Sequence, residues 1–334
     1  MTAILHPLTR ERMSELLDAM GRVRVAIVGD AMLDRYLLGD SERISPEAPV
    51  PIVTVDEERT LPGGAANVAA NVAAIGASCH LVAITGDDPA GDALREALAA
   101  LGIPTNGLIT VAGRPTTTKT RIVARGQQVV RIDLEVSNPP PARHREELLA
   151  ATHLMLGDAD ALLIADYNKG VIDAVFAQAT VAAGRDAGIP VVVDPKQRHF
   201  FDYAGATVFK PNRRELEAAF GPHFSGGDAD LEAARMRLGV EHMLLTLGAD
   251  GIALVSSEKI LRRTPSIARG VFDVSGAGDT VTAWLGAALA AGAAIGEAAW
   301  LANLAAGVKV GKRGTATVSP TEVRAAWEEA VGGP

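Results

Sequence analysis

A run in the C-terminal third, Phe272-Asp273-Val274-Ser275-Gly276-Ala277-Gly278-Asp279-Thr280, sets two glycines around an alanine and follows them with a carboxylate. Such glycines let the successive backbone N–H groups of Gly276, Ala277 and Gly278 converge on one point, and the alanine-rich helical pattern that follows adds the positive end of its dipole. The combination suits a phosphoryl group in transit. Asp279 enters the helix beside that point, where its carboxylate could take a proton from an attacking hydroxyl. Asp also caps helices after glycine turns. Gly-x-Gly-Asp alone therefore does not separate a base from a cap, and other segments must decide.

Two familiar phosphate motifs fail. Gly307-Val308-Lys309-Val310-Gly311-Lys312-Arg313 has one residue too few between its glycines for a P-loop, an Arg where Ser or Thr must hold magnesium, and a helical pattern before it instead of a strand. Gly276-Ala277-Gly278 does not continue to a third glycine at the dinucleotide spacing. Other elements carry more. Arg59-Thr60-Leu61-Pro62-Gly63-Gly64-Ala65-Ala66-Asn67 places paired glycines before a helix, so the backbone can approach a ligand closely, with Asn67 one turn in to bond hydroxyls. Lys210-Pro211-Asn212-Arg213-Arg214-Glu215 follows a strand and opens a helix; Asn212 and Glu215 have capping-box spacing as well as the reach to serve a ligand. Asp34, placed in the loop after the first strand, is either a surface acid or a hydroxyl acceptor.

These residues need a frame. Val23 to Asp30 reads as a buried strand, and the theme returns at Leu81–Ile84, Ala161–Ala165, Pro190–Asp194, Thr207–Phe209 and Met243–Thr246. Helical patterns lie near 8–20, 64–75, 89–101, 142–156, 173–187, 213–220 and 228–239. The alternation predicts an α/β fold with a mostly parallel sheet, helices on both faces, and ligands at the carboxyl ends of the strands. Two stretches break the rhythm: Pro49 to Val55, and Thr116 to Glu135, where Lys119–Arg125 and Val129–Asp133 flank Gly126-Gln127-Gln128 as a hairpin. They predict a small β lid, built from segments near 35–56 and 112–135, that either covers a substrate or pairs with its copy in a homodimer, or is an ordinary edge hairpin. Without an internal repeat or a long linker, 1–334 reads as a single domain.

Composition narrows the class. The 334 residues are 48% hydrophobic, enough for a large core, and the net charge of −8 argues against nucleic acid and anionic membranes as partners. The single Cys79 excludes a disulfide framework and a cysteine-rich metal site, and lies in an apolar run as a bystander. Met1 to Arg10 has no apolar signal core, and the uncharged stretch near Thr280–Gly296 reads as a buried helix, so the expected location is the cytoplasm.

Together, the Gly63-Gly64 pair, the Asn212-x-x-Glu215 element, Leu245-Thr246-Leu247-Gly248-Ala249-Asp250-Gly251, Asp273 to Thr280, and Asn303 to Thr317 resemble the ribokinase, or PfkB, family of carbohydrate kinases over nearly the whole chain. The resemblance implies a ribokinase-like three-layer α/β/α fold and ATP with Mg²⁺ as cofactors. It implies Asp279 as base, with Gly276, Ala277 and Gly278 as the cradle, and Asn212, Glu215, Thr246, Gly248, Gly251 and Asn303 on the nucleotide side. Glu215 would meet magnesium through water, and Asp34, Gly63, Gly64 and Asn67 would hold the sugar.

Within the family, Arg43 to Pro51, Gly29 to Tyr36, Asp166-Tyr167-Asn168-Lys169-Gly170 and Val271-Phe272-Asp273 are similar to the D-glycero-β-D-manno-heptose 7-phosphate kinases of lipopolysaccharide precursor synthesis. Those are often fused to a nucleotidyltransferase domain; here the stand-alone kinase is expected. The sugar phosphate calls for cations, and Lys119 and Arg131, inside the hairpin, lead a set that includes Arg43, Arg121, Lys169 and Lys196. Asn168 departs from the resemblance, which has a small residue before the Lys. Rival readings are a ribokinase- or fructokinase-like enzyme acting on an unphosphorylated sugar, and a sugar-phosphate binding protein without turnover.

Overall fold

The computed structural model describes residues 8–256, 261–268 and 270–331. Its strands in chain order are β1 (Arg24–Gly29), β2 (Ala31–Ile44), β3 (Pro51–Gly64), β4 (Ser78–Gly86), β5 (Leu108–Val111), β6 (Thr118–Ala124) and β7 (Gln127–Leu134). There follow β8 (Ala161–Ala165), β9 (Val191–Asp194), β10 (Val208–Phe209), β11 (His242–Thr246), β12 (Ile252–Val255) and β13 (Leu261–Thr264). Nine form one sheet in the order β13-β12-β11-β10-β9-β8-β1-β4-β5, parallel from β11 to β5 and antiparallel at the β12 and β13 edge.

The central strands β8, β1 and β9 are runs of apolar residues broken only at their ends, by Arg24 and Asp194, because both faces are covered. Val25 and Ile27 pack in one cluster with Val72, Leu94, Trp284 and Leu304, whereas Ala26 and Val28 pack in a second with Leu148, Phe176 and Leu231. The strand's period of two thus sends alternate side chains into two cores, giving three layers. The expected helices are present within two residues at each end, and those at Ala142–Leu156 and Arg213–Phe220 match the sequence reading at both ends. Among the described residues no helix is long and apolar enough to cross a membrane.

The remaining strands make a separate sheet, β3-β2-β6-β7. β6 and β7 turn through Arg125 (φ 50°) and Gly126 (φ 78°), a two-residue hairpin with both centres left-handed, one residue earlier than the sequence suggests. One placement is corrected. Asp34 lies not in a loop but within β2, because only Asp30 separates β1 from β2 and the chain passes directly from one sheet into the other. Gly63 and Gly64 end β3 immediately before the helix Ala65–Ile75, as the sequence places them. Gly64 has φ 57°, and a Cβ there would come within 2.4 Å of the Asp30 carbonyl oxygen, so glycine is required where the sheets meet.

Candidate active site

The helix Ala277–Ala290 starts from Gly276, whose φ of 78° is left-handed. Asp279 therefore sits in its first turn, with only 8% of its surface exposed. The side-chain amide of Asn67, in the helix Ala65–Ile75 that follows the glycine pair, donates to Asp279 Oδ2 at 2.5 Å, and the hydroxyl of Tyr167 donates to Oδ1. Burial pushes the Asp279 carboxyl up to about 6, against the pull of the Tyr167 and Asn67 hydrogen bonds. That range suits a group that must gain and lose a proton near neutral pH.

Tyr167 is placed by the loop after β8. The buried Asp30 carboxylate accepts from the N–H groups of Tyr167 (2.8 Å), Lys169 (2.9 Å) and Val171 (3.0 Å), wrapping that loop around itself. Asn168, the departure from the expected small residue, adopts φ 56°, a left-handed conformation that Asn tolerates better than most residues.

Beside Asp279 the cradle is only partly as expected. The Ala277 N–H turns back to the Val274 carbonyl at 3.2 Å, so it is not offered to a ligand. The N–H groups of Gly276 and Gly278 carry no protein partner among the described residues. A Cβ at Gly278 would stand 3.6 Å from Lys210 Nζ and 3.8 Å from Asp194 Oδ2, so this backbone faces a charged pair directly. Lys210 and Asp194 are 3.1 Å apart and almost fully buried. They come from the carboxyl ends of β9 and β10. The sequence reading did not single them out; their places after two apolar runs were the available signal.

Asn212 and Glu215 form a reciprocal capping box: Asn212 Oδ1 accepts from the Glu215 N–H at 2.9 Å, and Glu215 Oε2 from the Asn212 N–H at 2.8 Å. Glu215 Oε1 accepts from Lys196, whose ammonium also lies 5.6 Å from the Tyr167 ring centre. With both oxygens engaged, Glu215 suits magnesium held through water and not by direct ligation. Among the described residues no three His, Cys, Asp or Glu side chains group as a metal site.

At the end of β11, among the residues expected to meet a nucleotide, the Thr246 N–H donates to the Pro211 carbonyl at 3.0 Å, and Gly248 (φ 62°) and Gly251 (φ 82°) shape the loop to β12. Asn303 Nδ2 donates to the Pro265 carbonyl at 2.9 Å, fixing a segment that walls an open cleft of about 200 Å³. Ile267, Gly270, Gly307, Val308 and Gly311 line it, an apolar slot suited to a flat base. Phe272 and Asp273, whose N–H groups both donate to the Val310 carbonyl, lead from this slot to the cradle.

Among the residues expected to meet a sugar, Asp34 accepts at Oδ1 from Arg121 Nη1 at 2.6 Å, and the Arg121 guanidinium stacks 5.2 Å above the Tyr36 ring. A Cβ at Gly63 would sit 2.8 Å from Asp34 Oδ2, so the glycine lets the backbone lie directly against that carboxylate, which is buried. The hairpin cations are neutralised within the protein. Lys119 pairs with Asp133 (3.0 Å) and Glu135 (3.3 Å), Arg131 with Asp133 (2.8 Å), and Lys169 with Glu135 (2.8 Å). Cys79 is the expected bystander, its thiol buried and pushed up to about 12.

The sequence pattern of the pfkB family carbohydrate kinases matches residues 23–322. The chain is 45% identical over 308 residues to the "Bifunctional protein HldE" of Pelobacter propionicus, covering 90% of this chain and 63% of that protein. It is 46% identical over 306 residues to the protein of the same name from Halorhodospira halophila, covering 91% and 63%. It thus spans less than two thirds of these relatives' length. Its fold is ribokinase-like: the ribokinase of Arabidopsis thaliana, solved with ribose and ATP, superposes with TM-score 0.72 at 22% identity, covering 92% of this chain and 99% of that one. Phosphofructokinase-2 of Escherichia coli, solved with potassium, gives TM-score 0.76 at 20% identity, with coverage of 92% and 99%. The chain belongs to the pfkB family of carbohydrate kinases, phosphotransferases whose acceptor is an alcohol group.

Proposed function

We propose that the chain transfers the γ-phosphoryl group of ATP to the anomeric hydroxyl of D-glycero-β-D-manno-heptose 7-phosphate, giving the 1,7-bisphosphate used for ADP-heptose and lipopolysaccharide core synthesis. The observation that carries the phosphoryl-transfer reading is the buried Asp279 carboxylate beside the N–H groups of Gly276 and Gly278, which have no partner among the described residues. The choice of sugar rests on the resemblance of Arg43 to Pro51 and its companion segments to heptose 7-phosphate kinases.

Asp279 takes the sugar's proton late in a loose transition state; an anomeric hydroxyl is acidic enough that the base need not be strong. Gly276 and Gly278 donate to the oxygens of the transferring group, and Lys210 adds a fixed positive charge. Asn67 and Tyr167 hold the base, and Asp34, with Gly63 and Gly64, holds sugar hydroxyls. The base of ATP lies in the slot beside Asn303. Glu215 would hold magnesium through water, and the ion would supply charge neutralisation at the phosphates. A homodimer through the small sheet is part of this reading, supported by the half-exposed Val130, Ile132 and Leu134 on one face of its edge strand β7.

One observation favours a second reading. The pairing of Lys119, Arg121, Arg131 and Lys169 with carboxylates leaves less positive charge for a sugar phosphate, as an enzyme for an unphosphorylated sugar requires. The test is ADP release from Mg-ATP with heptose 7-phosphate, sedoheptulose 7-phosphate, ribose, fructose and fructose 6-phosphate offered separately, alongside Asp279→Asn. Turnover confined to heptose 7-phosphate and reduced roughly 10²–10⁴-fold in the variant is expected. Preference for a free sugar would transfer support to the second reading, and silence on every sugar would leave a binding protein.

A further inference from the structure

Lys309 occupies the last turn of the helix Ile295–Val310, where a lysine ordinarily reaches out to solvent while favouring the helix dipole. Here it turns inward. Its side chain is among the largest fully buried ones in the protein, with 0% exposure. Burying an ammonium is costly unless it is bonded and balanced by charge. Nζ donates to the Asp273 main-chain carbonyl at 2.9 Å, three residues before Gly276.

The surrounding bonds show what that contact holds. Asp273 Oδ1 accepts from the Ser275 N–H at 2.9 Å and Oδ2 from the Gly314 N–H at 3.0 Å. The residue is therefore gripped on both sides, by the lysine at its carbonyl and by two N–H groups at its carboxylate, where the chain bends into the cradle. The backbone pairing of Phe272 and Asp273 with Val310 already ties this segment to the helix end, so the lysine is not needed merely to dock it. Burial lowers the ammonium's pKa, while Asp273 and Asp279 oppose that effect and Lys312 adds to it. Among the described residues, those are the charged groups that act on it.

We propose that Lys309 is a positioning residue for phosphoryl transfer: an internal cation that sets the Asp273–Gly276 turn so that its N–H groups aim at the transferring group, and that offsets negative charge gathering above it. The inference rests on the kinase reading and is independent of which sugar is the acceptor.

The test compares wild type with Lys309→Met, which keeps the length of the chain without the charge, and Lys309→Ala, which leaves a space for a small cation. Lys309→Met is expected to lower kcat about 10²-fold, the size seen for the loss of one transition-state donor, with KM for ATP within about threefold. It should bind ADP normally but ADP with fluoroaluminate, a mimic of the group in flight, at least tenfold more weakly. Lys309→Ala should regain activity, or mimic affinity, saturably with ammonium chloride and not with tetramethylammonium chloride at equal ionic strength.

Equal mimic affinity in wild type and Lys309→Met, or indifference of Lys309→Ala to ammonium, would overturn the proposal. So would failure of both variants to fold, which would assign the lysine to stability alone. A wild type that releases no ADP with any sugar would sink the kinase reading, while the mimic titration still decides the role of Lys309.

Discussion

The Asn67 side-chain amide lies 2.5 Å from Asp279 Oδ2, a contact between residues 212 positions apart in the chain. It fixes one oxygen of the base while Tyr167 fixes the other, so the carboxylate is oriented before any substrate arrives. Neither donor belongs to the glycine motif that made Asp279 conspicuous. Pre-set orientation of this kind saves reorganisation during the reaction.

The acid limb of the rate profile should follow from that arrangement. Asp279, with its value near 6, must be ionised to accept a proton, so kcat should fall as pH drops through about 6. Tyr167→Phe removes a hydrogen bond that lowers this value, and should move the limb upward while leaving KM for the sugar nearly unchanged. Stability has the opposite slope. The folded carboxyl lies above its ordinary 3.8, so the folded state binds the proton more tightly and the contribution of Asp279 to stability declines as pH rises through that window. Denaturant titrations of wild type and Asp279→Asn between these pH values would show whether the slope belongs to this group.

Gly276→Ala should impair turnover far more than folding. A methyl group there would stand 2.9 Å from Asn67 Nδ2, on a backbone at φ 78° that a residue with Cβ adopts at a cost of about 1 kcal/mol or more. The amide would have to withdraw from Asp279. Loss of kcat of at least tenfold with a melting temperature lowered by only a few degrees is expected. Full activity would show that the Asn67 contact does not matter to the base.

Lys210→Met should destabilise the protein by about 3–5 kcal/mol, since it leaves Asp194 buried without its partner. The double variant Lys210→Met with Asp194→Asn should recover part of that loss, because the buried charge is gone. Urea unfolding of the four proteins of this cycle measures the coupling. Independent effects that simply add would mean that the two groups do not interact as their separation implies.

The β7 face predicts association. Ile132 and Leu134 are each 55% exposed on an edge strand, and Ile132→Arg should convert a dimer to a monomer in light scattering without loss of secondary structure. A wild type that scatters as a monomer at working concentration would remove the dimer from the proposal.

The sequence alone determined the three-layer frame, because apolar runs bounded by helical periodicity admit few other arrangements. It also marked Asp279 and the two glycines, since left-handed turns and helix starts are properties of a few adjacent residues. The short strands β5, β12 and β13 escaped notice, and the placement of Asp34 missed because one residue suffices to join two sheets. What only the tertiary structure decided was the company each charge keeps. Lys210 and Asp194 meet at the ends of two adjacent strands, Lys119 and Arg131 are balanced by carboxylates across one hairpin, and Lys309 turns inward beneath the cradle. Those outcomes depend on strand register, strand order and helix packing, and a charge read without its neighbours does not reveal whether it is free to bind a ligand or already neutralised.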